Sequence, residues 1–153
     1  MLNKLKIKDF KCHANTELEL KKLNVLVGTN SSGKSSVIQS LLLISHNVSN
    51  INSSPLNGHL VSIGDFKEAK NFVTNPDEII ISIEEDEEKL EMKLFSNKNN
   101  KDAEIEYKKE KAPSLVEKFN YINNKLHYIS AHRIGSQATY SKTYDNYARY
   151  GIF

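Results

Sequence analysis

Residues 28–35 read Gly-Thr-Asn-Ser-Ser-Gly-Lys-Ser, an unbroken match to G-x-x-x-x-G-K-[ST]. Gly28 and Gly33 free the backbone where a side chain would block it. The stretch between them can then turn its N–H groups inward, and those amides, with a helix N-terminus behind them, stabilise phosphate charge. Lys34 is expected to reach the β- and γ-phosphates as a point charge. Ser35 is expected to offer its hydroxyl to a Mg²⁺ ion that keeps several waters. The ligand that fits this chemistry is a nucleoside triphosphate with Mg²⁺, in the first instance ATP. Ser31, Ser32 and Ser36 suit loop and cap roles around the phosphates. Asn30 suits two roles, tolerating a left-handed backbone or touching the γ-phosphate.

Such a loop needs a strand to enter it and a helix to leave it. Residues 24–27, Asn-Val-Leu-Val, predict a short strand buried on both faces. An amphipathic helix is predicted over about 33–46, with Val37, Leu41 and Ile44 on one face and Ile38 and Leu42 beside them. Upstream, Leu5, Ile7 and Phe10 alternate with Lys4, Lys6 and Lys8, and residues 16–20 alternate again through Leu18 and Leu20. These two runs predict an antiparallel pair joined by a turn over 11–15.

Residues 47–58, rich in Asn and Ser and carrying Pro55, read as a loop, and residues 60–63 as a possible strand. Three polar strands are predicted at 78–84, 89–95 and 103–108, an antiparallel meander with one wet face. A short helix is predicted from Pro113 to about 121, and a buried strand over 126–130. The segment 132–153 is loop-like, with Tyr140, Tyr144, Tyr147, Tyr150 and Phe153 at roughly helical spacing.

The 153 residues suffice for one domain. At 39% hydrophobic and 26% charged, the composition argues against disorder and against a membrane protein. With 21 basic and 19 acidic residues the charge is too balanced to argue for nucleic acid. Cys12 is the sole cysteine, which excludes an internal disulfide and favours a reduced, cytoplasmic setting. No signal peptide is visible at the start.

The stretch LKIKDFKCHANTELELKKLNVLVGTNSSGKSSVIQSLLLI resembles the N-terminus of ABC-type ATPases of the SMC, RecF and OLD-like group. There an I-x-x-F-[KR] strand precedes the phosphate loop. LHYISAHRIGSQATY resembles, more weakly, a segment of AAA-like ATPases of bacterial phage defence such as the Septu type. The resemblance implies an α/β fold: the first lobe of a P-loop NTPase, with a mixed sheet around the P-loop helix and an antiparallel β-meander subdomain. By position it implies that Lys11 lies near the nucleotide, against the alternative of a solvated surface lysine. It implies that Gln137 acts as the glutamine that helps hold Mg²⁺ and the attacking water, against the alternative of an ordinary loop residue. Arg133 suits a phosphate, a partner or the bare surface.

In that group hydrolysis also needs a Walker B strand ending in Asp-Glu, a signature motif from a second subunit and a switch histidine, all further downstream. Residues 79–85, Ile-Ile-Ile-Ser-Ile-Glu-Glu, imitate Walker B, but Asp86, Glu87 and Glu88 follow at once, as in a solvated turn. The expectation is therefore a single N-terminal lobe over 1–153 that ends before the signature and Walker B region. It would bind ATP and Mg²⁺ and hydrolyse poorly alone, with a second copy or second lobe completing the site. A nuclease partner and DNA enter by resemblance only. The alternative function is a nucleotide-dependent interaction module without hydrolysis of its own.

Overall fold

The computed structural model describes residues 1–49, 54–58, 61–96, 103–110, 112–120 and 126–128. Five strands form: β1 (Lys4–Phe10), β2 (His13–Glu19), β3 (Glu78–Glu85), β4 (Glu88–Ser96) and β5 (Ala103–Glu110). They make one sheet in the order β2-β1-β3-β4-β5, antiparallel at every pairing. The N-terminal hairpin and the meander, which read as separate parts in the sequence, are therefore continuous through β1 and β3.

Register explains the single core face. Leu5 stands opposite Ile83 and Ile7 opposite Ile81. Ile79, Ile81 and Ile83 stand opposite Leu94, Met92 and Leu90. All eight side chains are fully buried. A one-residue slip would turn every one of them to water, so burial specifies this register. On the other face Lys4 pairs with Glu17 at 2.6 Å and Lys89 with Glu91 at 3.5 Å. The hydrogen bond and charge of Lys4 hold the Glu17 carboxyl below the usual carboxylate range. Such exposed pairs add solubility more than stability.

Three helices accompany the sheet: α1 (Lys34–Ser49), α2 (Phe66–Ala69) and α3 (Pro113–Phe119). α1 buries Val37, Leu42, Leu43 and Ile44 and packs on β1 and α3, while α3 packs on β4. Ser45 Oγ donates to the Phe119 carbonyl at 2.7 Å and ties the two helices together. The expected helix thus runs one turn further, and its buried face includes Leu43, with Leu41 only partly covered.

Several expectations need correction. Residues 24–27 form no strand, and Val25 and Val27 are 72% and 84% exposed. A strand buried on both faces needs hydrogen-bonded neighbours and covering layers, and among the described residues nothing pairs with this one. The mixed sheet expected around the P-loop helix is likewise not formed by the described residues, whose sheet is wholly antiparallel. The first hairpin turns on Lys11 and Cys12 alone, because Phe10 already pairs with His13. At 61–63 only an isolated bridge, Asn57 to Ser62, is present. Residues 126–128 are not in a strand, and 129–130 lie outside the described residues. α2 leaves no mark in the sequence pattern because four residues are too few to show periodicity. It is capped by the Asp65 N–H donating to Glu68 Oε2 at 3.0 Å.

The segment that imitates Walker B is β3, and its terminal carboxylate is already engaged. Glu85, almost wholly buried, meets the Met1 ammonium and the Lys118 ammonium, the latter at 2.6 Å. The Lys118 hydrogen bond, then that of the N-terminus, holds its carboxyl below the usual range. A carboxyl lowered in the folded state stabilises the fold at pH above its unfolded value, and that contribution fades as pH falls through the folded value. Lys118→Met should therefore bring acid unfolding to a higher pH. The neutral-pH cost should be about 1 kcal/mol, small because Lys118 is half-exposed and screened by water. Circular dichroism across an acid titration reads both.

Candidate phosphate-binding site

The loop 28–33 delivers the chain into the first turn of α1, whose leading N–H groups have no intrahelical acceptor. Its path depends on positive φ at Gly28 (151°), Ser31 (62°) and Gly33 (93°). The left-handed residue is thus Ser31 and not Asn30. Crowding adds to the demand for glycine. A Cβ on Gly33 would stand 2.6 Å from Cys12 Sγ and 3.0 Å from His13 Nε2. A Cβ on Gly28 would meet Ser32 Oγ at 2.8 Å.

The Lys34 ammonium folds back over this loop. It donates to the carbonyls of Gly28 at 2.8 Å and Thr29 at 2.6 Å, and approaches Ser32 Oγ at 3.4 Å. These contacts use all three of its protons, so an incoming anion must replace at least one of them. The lysine braces the loop and stays at its mouth.

A cavity of about 320 Å³ opens here, lined by residues 30–36 on one side and by Lys11 and Cys12 on the other. Among the described residues its lining contains two lysines and no carboxylate. A larger groove of about 540 Å³ sits at the β3–β4 turn, but Glu85, Asp86, Glu87 and Glu88 line it and repel anions. Electrostatics therefore disfavour that acidic groove for an anion.

Lys11 reaches the cavity because the hairpin turn is tightly held. Its φ is 50°, and its N–H donates to the Ala69 carbonyl at 2.8 Å. Asn71, 3% exposed, donates from Nδ2 to the Lys11 carbonyl at 2.8 Å and from its backbone to the Asp9 carbonyl at 2.9 Å. Its Oδ1 accepts from the Val73 and Thr74 amides, and Thr74 Oγ1 donates to Asp9 at 2.6 Å. α2 and the turn after it thus form a cradle for the end of β1. Sequence reasoning placed Lys11 by resemblance and missed Cys12, Asn71 and Thr74. These join the site through contacts distant in sequence, which residue types alone do not announce.

Of the expected site residues, the structure brings together Lys11, Asn30, Ser31, Ser32, Gly33, Lys34, Ser35 and Ser36, with Gly28 at the base of the loop. Ser36 is buried in the first turn of α1 and Ser35 is exposed. Gln137, Arg133 and the aromatic tail lie outside the described residues. No described helix is long and apolar enough to cross a membrane. Among the described residues no group of three or more His, Cys, Asp or Glu side chains could hold a metal ion.

A glycine-bounded loop that feeds the N-terminus of a helix and carries lysine at the helix start defines the P-loop class of nucleotide-binding proteins. The chain belongs to the AAA ATPase domain family, which matches residues 1–151. No functionally curated protein matches it. The family implies a nucleotide and, in general, a divalent metal. The residues present fit the phosphate chain, with a cradle that excludes a Cβ at Gly33 and two lysines at its rim. A hydroxyl for the metal stands on the same rim at Ser35.

Proposed function

We propose that residues 28–36, with Lys11, hold the triphosphate of ATP, and that Ser35 supplies a hydroxyl ligand to its Mg²⁺. The single observation that carries this is the acid-free cavity whose rim joins the loop, the start of α1 and both lysines. Gly28, Asn30, Ser31, Ser32, Gly33 and Ser36 shape the cradle, and Lys34 neutralises charge on the phosphates. The family resemblance assigns Gln137 to the same metal. Bound Mg²⁺ supplies charge neutralisation between the phosphates.

On this proposal residues 1–153 are one N-terminal lobe of a cytoplasmic ABC-type ATPase of the SMC, RecF and OLD-like group. The lobe couples ATP to a nuclease or nucleic-acid complex in DNA repair or phage defence, in the manner of the Septu type. The resemblance of residues 5–44 supports the group. The resemblance of residues 126–140 supports the narrower type. The exposed Leu23, Val25 and Val27 support a second lobe or second copy, because an isolated apolar run of this kind is costly to leave in water.

One observation favours the second function, a nucleotide-dependent interaction module. Phosphoryl transfer to water needs a group that orients the water, and among the described residues no carboxylate lines the cavity. Purified residues 1–153 should therefore bind Mg·ATP yet turn it over below roughly 10⁻² s⁻¹, against about 1–100 s⁻¹ for complete kinase sites. Calorimetry with and without Mg²⁺, paired with a phosphate-release assay, tests both halves. Robust steady-state hydrolysis that disappears in Lys34→Ala would refute the incomplete-site half.

A further inference from the structure

The first hairpin carries a histidine that the proposed nucleotide contacts leave unused. His13 opens β2 and is 9% exposed, so its ring nitrogens need partners inside the protein. Nδ1 lies 2.9 Å from Thr16 Oγ1, and Nε2 lies 3.2 Å from the Gly33 carbonyl oxygen. A carbonyl only accepts, so Nε2 must carry a proton and donate. The Thr16 hydroxyl serves either ring state: it donates to Nδ1 of a neutral ring and accepts from a doubly protonated one. The bond to Gly33 is therefore present in both.

The carbonyl it grips is an unusual one. The Val37 N–H also donates to Gly33 O, at 3.1 Å, as the first hydrogen bond of the helix. Two donors, one on α1 and one on the hairpin, thus hold a single carbonyl. The peptide group is planar and trans, so fixing the Gly33 C=O fixes the Lys34 N–H on the opposite side. Lys34 is the first residue of α1, and its amide has no acceptor within the helix. Lys34 is one of the residues that line the cavity. The helical bond alone sits in the first turn, where helices fray. The histidine adds a second anchor from the sheet.

We propose that His13 is a positioning residue of the phosphate loop: its Nε2–H, with Thr16 Oγ1 holding the ring at Nδ1, fixes the Gly33–Lys34 peptide plane so that the Lys34 amide faces the phosphate chain. The inference rests on the nucleotide assignment above, and its test separates the two.

Three variants of the chain carry the test. His13→Phe keeps a ring and removes both nitrogens. His13→Gln returns an amide N–H near the place of Nε2. Thr16→Val removes the Nδ1 partner. Each is followed by thermal unfolding, by Mg·ATP titration and by the nitrogen and amide resonances of ¹⁵N-labelled protein. His13→Phe should weaken Mg·ATP roughly 5–30-fold, equivalent to one or two good hydrogen bonds. Its Lys34 amide should lose the shift that nucleotide induces in the parent chain. His13→Gln should bind within about threefold of the parent, a rescue that filling space alone does not give.

Wild-type affinity in a folded His13→Phe overturns the proposal, as does a folded His13→Gln that binds no better than the phenylalanine variant. Should His13→Phe fail to fold, the glutamine and valine variants decide by the same affinities. The ring itself can be read without nucleotide: the free parent chain should carry a proton on Nε2, and a neutral ring protonated at Nδ1 alone refutes the clamp. A parent chain with the Nε2–H ring, and a Lys34 amide resonance that moves in His13→Phe, supports the clamp even if no nucleotide binds. That outcome refutes the ligand assignment instead.

Discussion

Lys34→Ala should abolish detectable ATP binding and leave the fold intact. The two halves of that result come from different contacts. In the free protein the ammonium rests on the Gly28 and Thr29 carbonyls, beside water. When it is removed, water can hydrogen-bond those oxygens, so the stability change should stay within roughly 0.5 kcal/mol, as at other surface positions. The bound state has no such substitute. A charge-assisted hydrogen bond to phosphate contributes about 1.5–3 kcal/mol, and the lysine is placed to make more than one. Loss of at least about 100-fold in affinity, equivalent to about 2.7 kcal/mol, is the expected size. Lys34→Arg should not rescue, because a planar fork cannot reproduce three contacts that radiate from one nitrogen. Titration calorimetry reads the affinity and thermal unfolding the fold. Unchanged ATP affinity in Lys34→Ala would sink the nucleotide assignment.

Gly33→Ala should cost both stability and binding. At φ 93° an L-residue is strained by roughly 1–3 kcal/mol. The new methyl would also stand 2.6 Å from Cys12 Sγ and about as close to the His13 ring as any contact allows. The two costs can be separated. Cys12→Ala in the Gly33→Ala background removes the sulfur and should return part of the stability. It should not return the binding, because the backbone strain and the disturbed loop amides remain. Gly28→Ala should also be strained, at φ 151°, but its clash should be milder, since its nearest neighbour is the far end of the Ser32 side chain. Denaturant unfolding beside Mg·ATP titration of the three variants orders these effects. A Gly33→Ala chain as stable as the parent and binding as tightly would refute the strained-loop geometry.

The parts legible from sequence are those in which local periodicity and final burial agree. The predicted meander strands fall within about two residues of the observed ones because Ile79, Ile81 and Ile83, and Leu90, Met92 and Leu94, alternate with charge. α1 is legible for the same reason, and Pro113 marks the start of α3. Residues 24–27 mislead because a continuous apolar run reports a need for burial but not the neighbour that provides it. The predicted turn at Lys11 and Cys12 is too long because tight reversal depends on a positive φ at Lys11, a residue type that does not advertise it.

The phosphate loop divides along the same line. Sequence alone carried its motif: two glycines, a lysine and a hydroxyl at this spacing are the pattern of a loop that leads into a helix N-terminus, which the structure forms at Lys34. Tertiary structure alone decided what holds the cradle in shape. Asn71 grips the carbonyl of Lys11, and His13 grips that of Gly33. Which residue meets a given carbonyl is set by the pairing of β1 with β2 and the path of α2. That pairing follows from packing the whole sheet, and no local spacing encodes it.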